Sequence, residues 1–351
     1  MQIAVIVPSL RNLAPVQVAQ SIAGHLVRRG HEVTIYHFIS KKELPALNGV
    51  HYEKISFWKS IEWGNYHIIH SHGIVPDTYV SFRKPFHCEA KTVSTLHNYV
   101  FPELTMLYNR FVSWTVGITW LIAWTGLDHL VVLTDDAMKY YKFIFRKKKI
   151  SRIYNGRNIT PDPGKVLPEH KQVMDEMRNR NGYSIGVCSA LISRKRVDIL
   201  VRHLSRVDTG CLFILGQGPE RKNLEKLVNK NGLQDRVKFF GYIRDAYNYF
   251  DEFDLFAHPS STEGFSLSLI EAALCKRKIV CSDIPPFKEA FTETEVTFFD
   301  CDNELSIDRA IKEALENNEK PIRAFSRAST LYTEDRMADE YEALYISLMK
   351  A

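Results

Sequence analysis

Two glutamates that could bind hydroxyl groups follow a loop rich in proline and serine in the second half of the chain. A predicted strand ends at His258 and a predicted helix begins near Phe265. The first N–H groups of a helix have no partner inside it and its dipole is positive there, so this junction can bind an anion. Glu263 and Glu271 stand eight residues apart, about 12 Å along a helix. They could bind two ends of a polyhydroxylated ligand, although the spacing alone also fits a capping Glu263 and a solvated Glu271.

Histidines lie at the carboxyl ends of two predicted strands in the first half of the chain. His70 and His72 end one strand, and His97 follows the apolar strand Thr92–Leu96. Ligands of parallel α/β folds bind outside the carboxyl ends of the strands, which makes His97 a candidate for the active site. A single histidine after a strand also fits a structural role, and the pattern alone leaves both interpretations open.

The segment His258–Ala272 resembles the glutamate-x7-glutamate signature of the retaining glycosyltransferases of family 4, also described as glycosyl transferases group 1. The resemblance implies the GT-B fold, in which two Rossmann-like, doubly wound parallel-sheet domains face a central cleft. It also implies that Glu263 contacts hydroxyls of the donor sugar and that Glu271 contacts the ribose of the nucleotide. The other residues of this segment that it assigns to donor binding are Gly264, Phe265, Ser266 and Leu267.

Other segments match the family in the same order over nearly the whole chain, among them Arg29–Val33, His70–His72, Thr95–Asn98 and Asn155–Gly156. The match implies that His97 is catalytic and hydrogen-bonds the transferred sugar. Further donor-binding residues implied by the family pattern are Gly216, Gly218, Gly241, Tyr242 and Ile243. On the acceptor side, the residues implied are Ala14, Pro15, His72 and Asn98.

The cations implied by the resemblance lie in Ser193–Asp198, after the first strand of the second half. A departing nucleoside diphosphate gains negative charge as the glycosidic bond breaks, and Lys195 falls at the family's pyrophosphate lysine. The partner arginine of the family is Ala190 here. Arg194 or Arg196 could supply the missing charge, and a solvated basic helix start is the alternative for either.

A second departure from the family is in the first loop, which usually carries two glycines. Here the loop reads Asn12–Pro15, and Pro15 lacks an N–H although it suits a first helical turn. These residues argue against close contact between this backbone and the diphosphate, and the loop is assigned to the acceptor instead.

The elements that position these residues alternate between strands and helices. Ile3–Val7 is an apolar run typical of a strand buried on both faces, a helical repeat follows, and His31–Tyr36 is the next strand. Strands joined by such a crossover are parallel. Turn residues cluster between Tyr154 and Gly164, and strand–helix alternation then restarts. We therefore predict an acceptor-binding domain over 1–155, a donor-binding domain over 156–330, and a final helix over 331–351 that packs back on the first domain.

Charge is divided unevenly along the chain of 351 residues. Residues 1–155 hold 18 basic and 10 acidic residues, whereas 156–351 hold 28 and 31. Seven cations lie among aromatic residues in Lys139–Arg152, called the basic cluster below. No nucleic-acid recognition motif accompanies the cluster, so an anionic membrane surface is the preferred partner and nucleic acid is excluded. The neighbouring stretch with Trp114, Trp120 and Trp124 fits either a core helix or part of the same surface.

Several patterns argue against other classes of site. The uncharged run Phe111–Leu127 has 17 residues with interspersed Thr, Ser and Gly, so no membrane span is predicted. The six cysteines show no metal-ligand spacing, which indicates a reduced, cytoplasmic protein. Asp300-Cys-Asp302 resembles a metal motif of another transferase fold, but its late position favours a solvated turn.

Together these features predict a retaining glycosyltransferase that moves a sugar from a nucleoside-diphosphate sugar to a saccharide acceptor. The expected donor is a UDP-sugar, with no metal or other cofactor, and the expected acceptor is an oligosaccharide or a lipid-linked saccharide of lipopolysaccharide or O-antigen synthesis. The expected location is the inner face of the membrane. Two alternatives stay open: a GT-B nucleotide-sugar epimerase or hydrolase, and a non-catalytic protein that binds sugar nucleotides or membranes.

Overall fold

A computed structural model describes residues 1–42, 44–107 and 109–350 of the chain. The strands are β1 (Gln2–Leu10), β2 (Glu32–Lys42), β3 (Val50–Lys54), β4 (Ile68–His72), β5 (Lys91–Leu96), β6 (His129–Val132), β7 (Ile150–Arg152), β8 (Ser184–Cys188), β9 (Cys211–Leu215), β10 (Val237–Gly241), β11 (Leu255–His258), β12 (Lys278–Ser282) and β13 (Thr297–Phe299). The α-helices are α1 (Ala14–Arg28), α2 (Ile74–Arg83), α3 (Val100–Leu107), α4 (Arg110–Thr125), α5 (Asp135–Ile144), α6 (Pro168–Asn181), α7 (Asp198–Leu204), α8 (Arg221–Lys230), α9 (Leu267–Leu274), α10 (Pro285–Ala290), α11 (Glu304–Glu316), α12 (Lys320–Leu331) and α13 (Glu334–Lys350).

The chain forms two compact units, each built on a parallel sheet. Unit 1 comprises Met1–Gly156 with Tyr332–Ala351, and unit 2 comprises Arg157–Leu331. The sheet of unit 1 has the strand order β3-β2-β1-β4-β5-β6-β7, and that of unit 2 has the order β10-β9-β8-β11-β12-β13. All neighbouring strands run parallel. The predicted fold class, two doubly wound α/β domains, is therefore confirmed.

Strand order reverses once in each sheet, and this reversal brings loops together. In unit 1 the reversal lies between β1 and β4, with β5 next to β4. In unit 2 it lies between β8 and β11. Crossovers leave in opposite directions at such a point, so the loops at the carboxyl ends of the strands flank a crevice in which ligands bind. The loops after β8 and β11 carry Lys195 and Glu263, and His97 follows β5.

The sequence analysis missed three strands, which are β3, β7 and β13. All three are edge strands. An edge strand has one strand neighbour and can stay partly exposed, as β3 is, and β7 and β13 have only three residues each, so none of them shows the long apolar run of a central strand. The final helix, predicted from Leu331, instead begins at Glu334, because α12 ends at Leu331 and a short turn separates the two helices.

Helix α13 returns to unit 1 and bonds to residues of its sheet. Tyr345 contacts Nδ1 of His70 at 2.7 Å, and the Tyr341 hydroxyl lies 2.7 Å from the Thr95 hydroxyl. Arg29 on the first crossover pairs with Glu342 at 2.6 Å. Both tyrosines are fully buried, so the C-terminal helix forms part of the core of unit 1.

A buried carboxylate, Asp77 on α2, orients helix α4. Its Oδ1 accepts hydrogen bonds from the hydroxyls of Ser71 (2.6 Å) and Ser94 (2.8 Å) on β4 and β5. Its Oδ2 accepts from the indole N–H groups of Trp120 (2.7 Å) and Trp124 (2.8 Å) on α4. Burial raises the pKa of Asp77, and the four donors oppose that shift. The carboxylate thereby joins the sheet to α4 and decides which face of α4 points inward.

We expect Asp77→Ala to lower the free energy of unfolding by about 3–5 kcal/mol, because it leaves four buried donors without their acceptor. Urea denaturation followed by tryptophan fluorescence measures this loss. Asp77→Asn keeps one acceptor oxygen and should lose less. Equal losses for the two variants would show that the hydrogen bonds are not the cause.

Candidate active site

The loop after β11 places Glu263 in a buried cluster of charged and polar groups. Its carboxylate lies 3.0 Å from Arg194 Nη1 and is also bonded to Lys195 Nζ. Ser260 donates to the same carboxylate at 2.8 Å, and His258 Nε2 lies at 3.4 Å. The side chains of Glu263, Arg194 and Lys195 are 7%, 13% and 12% exposed. Two cations from the loop after β8 thus meet a carboxylate from the loop after β11.

The electrostatics of this cluster keep Glu263 ionised. Burial alone would favour the neutral acid, but the Lys195 and Arg194 cations and the contact with His258 hold the pKa of Glu263 well below its usual range. Burial lowers the pKa of Lys195, and the Glu263 carboxylate opposes that shift. A charged acceptor and two charged donors are therefore present together, as a ligand with both hydroxyls and phosphates requires.

The two candidate arginines lie in different surroundings. Arg194 belongs to the Glu263 cluster, donates to the Thr262 carbonyl at 2.9 Å, and has a buried Nε with no hydrogen-bond partner among the described residues. Arg196 pairs instead with Asp198, at 3.5 Å on the following helix. An orphaned buried N–H is costly, and an anionic ligand would satisfy it. Arg194 is thus the better candidate for the cation absent at Ala190.

Glu271 lies on α9 and is already paired. Its carboxylate accepts a hydrogen bond from Arg157 Nε at 2.7 Å, and the Arg157 guanidinium lies 5.9 Å from the centre of the Tyr247 ring. Helix α9 begins at Leu267, two residues later than predicted, and the Ser266 hydroxyl caps it by accepting from the N–H of Leu269 at 3.3 Å. Ser266 therefore has a local structural role in addition to its predicted place beside the donor.

The remaining predicted donor residues lie at the ends of β9 and β10. At Gly216 an added Cβ would lie 1.8 Å from the Ser189 carbonyl oxygen, and at Gly218 it would lie 2.2 Å from that of Leu191. These glycines let two backbones approach, which is a packing reason for their presence. Gly241 has a φ of 75°, whereas Tyr242 is 53% exposed and Ile243 is half-buried.

In unit 1 the three histidines form an array in which His70 and His72 are fully buried and His97 is half-buried. His72 Nδ1 lies 2.9 Å from His97 Nε2, and the His70 and His72 rings lie 4.2 Å apart. His70 Nε2 lies 2.8 Å from the Thr95 hydroxyl. Burial lowers the pKa of His70 and of His97 to about 3, and that of His72 falls well below its usual value for the same reason. All three imidazoles are therefore neutral at physiological pH.

This neutrality limits where the protons of the histidines lie. Nε2 of His72 is buried and has no hydrogen-bond partner in the described part of the chain. A neutral imidazole has one N–H, and an N–H buried without an acceptor is disfavoured. His72 then carries its proton on Nδ1 and donates it to Nε2 of His97, which leaves Nδ1–H of His97 as a donor. His72, predicted to contact the acceptor, is fully buried and meets His97 instead.

The other residues assigned to the acceptor lie on loops and helix starts of unit 1. Ala14 begins α1 and is exposed, and Pro15 lies in the first turn of that helix. Asn98 is half-buried, and its carbonyl accepts a hydrogen bond from the Tyr141 hydroxyl at 2.6 Å. Asp300, which the sequence analysis placed in a turn, accepts from the backbone N–H of Asp302 at 2.8 Å.

Sequence reasoning missed partners that come from distant parts of the chain. Arg157 reaches Glu271, 114 residues later, and Tyr345 reaches His70 across 275 residues. Arg157 directly follows the recognised Asn155–Gly156 segment, and that proximity was the only signal available for it. No local pattern marks Tyr341 or Tyr345, which read as two of the apolar positions of a helix.

Comparisons with known proteins identify the family. Residues 16–160 match the family model described as Glycosyltransferase Family 4, and residues 174–329 match the one described as Glycosyl transferases group 1. An O-antigen biosynthesis glycosyltransferase of Escherichia coli, WclY, is 29% identical over 358 residues, covering 100% of this chain and 99% of the relative. The chain belongs to the family 4 glycosyltransferases, and it is an enzyme of glycosyl transfer.

Two further proteins extend the comparison. One relative, from Campylobacter jejuni, is 32% identical over 179 residues, covering 50% of this chain and 47% of the relative. It is named N-acetylgalactosamine-N,N'-diacetylbacillosaminyl-diphospho-undecaprenol 4-alpha-N-acetylgalactosaminyltransferase. The crystal structure of Anabaena HepE in complex with UDP and glucose superposes with a TM-score of 0.79 at 18% identity, over 99% of this chain and 100% of that one. This likeness confirms the GT-B fold.

The acid stability of unit 1 should depend on its neutral histidines. The folded state keeps His70 unprotonated down to about pH 3, whereas the unfolded chain binds a proton below about pH 6.5, so the free energy of unfolding falls as the pH falls between these values. In His70→Gln, we expect the free energy of unfolding to decrease less steeply with falling pH, by about 1.4 kcal/mol per pH unit. Urea unfolding at several pH values measures the slope, and parallel curves for the two proteins would contradict the assignment.

Proposed function

We propose that this enzyme transfers a sugar, with retention of configuration, from a UDP-sugar to a saccharide on a lipid carrier in the synthesis of a cell-surface glycan. The observation that carries the proposal is the buried cluster in which Lys195 and Arg194 flank the Glu263 carboxylate, at the carboxyl ends of β8 and β11. Such a cluster offers cations for a diphosphate and an acceptor for sugar hydroxyls.

Unit 2 supplies the donor-binding residues in this proposal. Glu271, oriented by Arg157 at 2.7 Å, accepts hydrogen bonds from the ribose hydroxyls. Lys195 and Arg194 bind the diphosphate, and the N-terminus of α9 adds partial positive charge beside it. Glu263 accepts from hydroxyls of the donor sugar. Support for a uridine nucleotide comes from the UDP in the HepE complex.

The reaction breaks the bond between the anomeric carbon of the sugar and the diphosphate oxygen. Negative charge develops on that oxygen, and the Lys195 and Arg194 cations stabilise it more in the transition state than in the ground state. The acceptor hydroxyl attacks from the face that the diphosphate leaves, forms the new bond to the anomeric carbon, and gives its proton to the departing diphosphate. Retention follows because attack and departure share one face.

Unit 1 supplies His97 in this proposal. Its neutral imidazole presents an Nδ1–H donor because His72 Nδ1 donates to its Nε2, 2.9 Å away. A neutral donor can bind a sugar hydroxyl without placing a positive charge beside the developing cation of the sugar. Exposed Ala14, with Pro15 and Asn98 near the ends of β1 and β5, is assigned to the acceptor side.

A lipid-linked acceptor is supported by the printed activity of the Campylobacter relative, whose acceptor is a diphospho-undecaprenol saccharide. The Escherichia coli relative acts in O-antigen synthesis. Within the described residues no helix has both the length and the hydropathy to cross a bilayer. In this proposal the enzyme lies at the cytoplasmic membrane face, held by the basic cluster, in which Lys142, Arg146, Lys147 and Lys149 are exposed.

The proposed reaction is tested by incubating the full chain with a panel of nucleotide sugars, with and without an undecaprenyl-diphosphate saccharide. We expect an elongated lipid product from a UDP-sugar only when the acceptor is present, with the α-anomer retained in the new linkage. Mass spectrometry and NMR of the product measure both. Sugar release or epimerisation without an acceptor would contradict transfer, and an inverted linkage would contradict retention.

Substitution of the three neighbouring cations should give a rank order. We expect Lys195→Ala and Arg194→Ala each to lower kcat by about 10²–10³-fold, the scale found when one donor to a developing anion is removed. Arg196→Ala is the matched control and should stay within about twofold, because Arg196 pairs with Asp198 outside the Glu263 cluster. Thermal unfolding shows whether each variant is folded. A loss in Arg196→Ala equal to that in Arg194→Ala would overturn the assignment of Arg194.

A further inference from the structure

Helix α4 turns an uncharged apolar face outward. Phe111, Trp114, Ile118 and Ile122 are 79%, 53%, 47% and 52% exposed, and their spacing of three and four residues aligns them on one side of the helix. The row extends about 16 Å along the axis. Large exposed side chains scattered singly are common, but a contiguous row on one helix marks an interaction surface.

The polar residues of the same face have hydroxyls that bond within the helix. Thr115 donates to the Phe111 carbonyl at 3.1 Å, Thr119 to the Thr115 carbonyl at 2.9 Å, and Thr125 to the Ile122 carbonyl at 2.7 Å. Their donors are satisfied, so the outer face needs no water to complete them. Such a face can enter an apolar medium without leaving a side-chain donor unpaired.

The helix is held so that this face cannot turn inward. Trp120 and Trp124 donate to the buried carboxylate of Asp77 on the opposite side of α4. Ser113 donates to the Leu104 carbonyl at 2.8 Å, and an added Cβ at Gly117 would lie 2.6 Å from the Phe101 ring. The inner face thus has specific partners on α2 and α3, and the outer row stays exposed.

Cations lie at both ends of this face. Arg110 is the first residue of α4. At the other end, Lys148 of the basic cluster donates to the carbonyls of Thr125 at 3.0 Å and of Leu127. The neighbouring Lys147 and Lys149 are exposed. Exposed apolar and aromatic side chains with cations beside them fit the interface of an anionic bilayer, where basic side chains reach the lipid phosphates and apolar ones enter the boundary of the acyl chains.

We propose that the outer face of α4 inserts into the interfacial layer of an anionic membrane, with the helix axis along the membrane plane. The helix has 16 residues, about 24 Å, which is short of the roughly 30 Å needed to span the hydrocarbon core. The inference rests on the proposed function in that this surface would bring unit 1 to a lipid-linked acceptor. It adds an apolar contact to the electrostatic attraction of the basic cluster.

The two contributions differ in their response to salt. Exposed charges are screened over about 10 Å at 0.1 M salt and 3 Å at 1 M, whereas the burial of apolar surface is not screened. The full chain is sedimented with vesicles of phosphatidylcholine alone, and of phosphatidylcholine and phosphatidylglycerol in equal parts, at both salt concentrations. We expect binding to the mixed vesicles to weaken at about 1 M salt but to persist.

Variants separate the two contributions. Phe111→Ser with Ile118→Ser should lower the binding that persists at high salt by about tenfold or more. As a control, Leu305→Ser with Ile322→Ser removes comparably exposed side chains from unit 2 (59% and 63% exposed). This variant should bind vesicles at high salt within about twofold of the parent. Lys147→Gln with Lys149→Gln should lose only the binding that salt weakens. We leave Lys148 unchanged because it bonds to backbone carbonyls at the end of α4 and just after it.

Tryptophan quenching by lipids brominated on their acyl chains gives a second measurement. Quenching in the parent should be lost in Trp114→Phe and kept in Trp58→Phe, although Trp58 is 81% exposed. The proposal is overturned if the Phe111→Ser, Ile118→Ser protein binds at high salt as the parent does, or if the parent is a dimer that these changes convert to monomers. If the parent and the Phe111→Ser, Ile118→Ser protein transfer equally to a short soluble saccharide, a loss of transfer to a lipid-linked acceptor is due to weaker membrane binding. If the parent itself does not transfer to the soluble saccharide, the result counts against the proposed function and not against the membrane surface.

Discussion

A carboxylate removed from water needs charged or hydrogen-bonding partners, and the candidate active site of unit 2 depends on this requirement at Glu263. Its side chain is 7% exposed and contacts Arg194, Lys195 and Ser260. Removing one partner of such a group leaves a buried charge uncompensated, which costs several kcal/mol. The loops after β8 and β11 are therefore held together by the same groups that would bind a diphosphate sugar.

Unit 1 meets the same requirement with neutral groups and one carboxylate. The histidine array stays neutral because burial disfavours its charged forms, and Tyr345 of α13 bonds to one of its members, His70. Asp77 collects four donors from two strands and one helix. The C-terminal helix and α4 are thus positioned by buried polar contacts, and hydrophobic packing alone would not specify their rotation.

These contacts connect the fold to the proposed activity. His70 bonds to Tyr345 of α13 and packs against the ring of His72, which in turn bonds to His97. The end of the chain is thus linked through two histidines to a residue proposed for sugar binding. Asp77 lies in the core, and it determines that α4 shows Phe111 and Trp114 to the outside. The proposed transfer to a lipid-linked acceptor would use both features, which are a rigid polar site and an apolar surface proposed to meet the bilayer.

The sequence by itself determined the class of fold and predicted the place of the site. Continuous apolar runs such as Ile3–Val7, separated by helical repeats, predict central parallel strands, and polar residues directly after them lie at the carboxyl ends where ligands bind. The motif around Glu263 and Glu271 indicated the family. These conclusions depend on residues that are close together along the chain, so the sequence alone shows them.

Only the tertiary structure decided which residues meet across long separations. Helix α4 is apolar on all sides, so its sequence could not separate Trp120 and Trp124, which bond to Asp77, from Trp114, which faces outward. Arg157 beside Glu271 and Tyr345 beside His70 come from distant segments. Three of the four edge strands lacked a signal because β3 is largely exposed and β7 and β13 have only three residues each. In each case the deciding contact lies between elements, where periodicity along the chain carries no information.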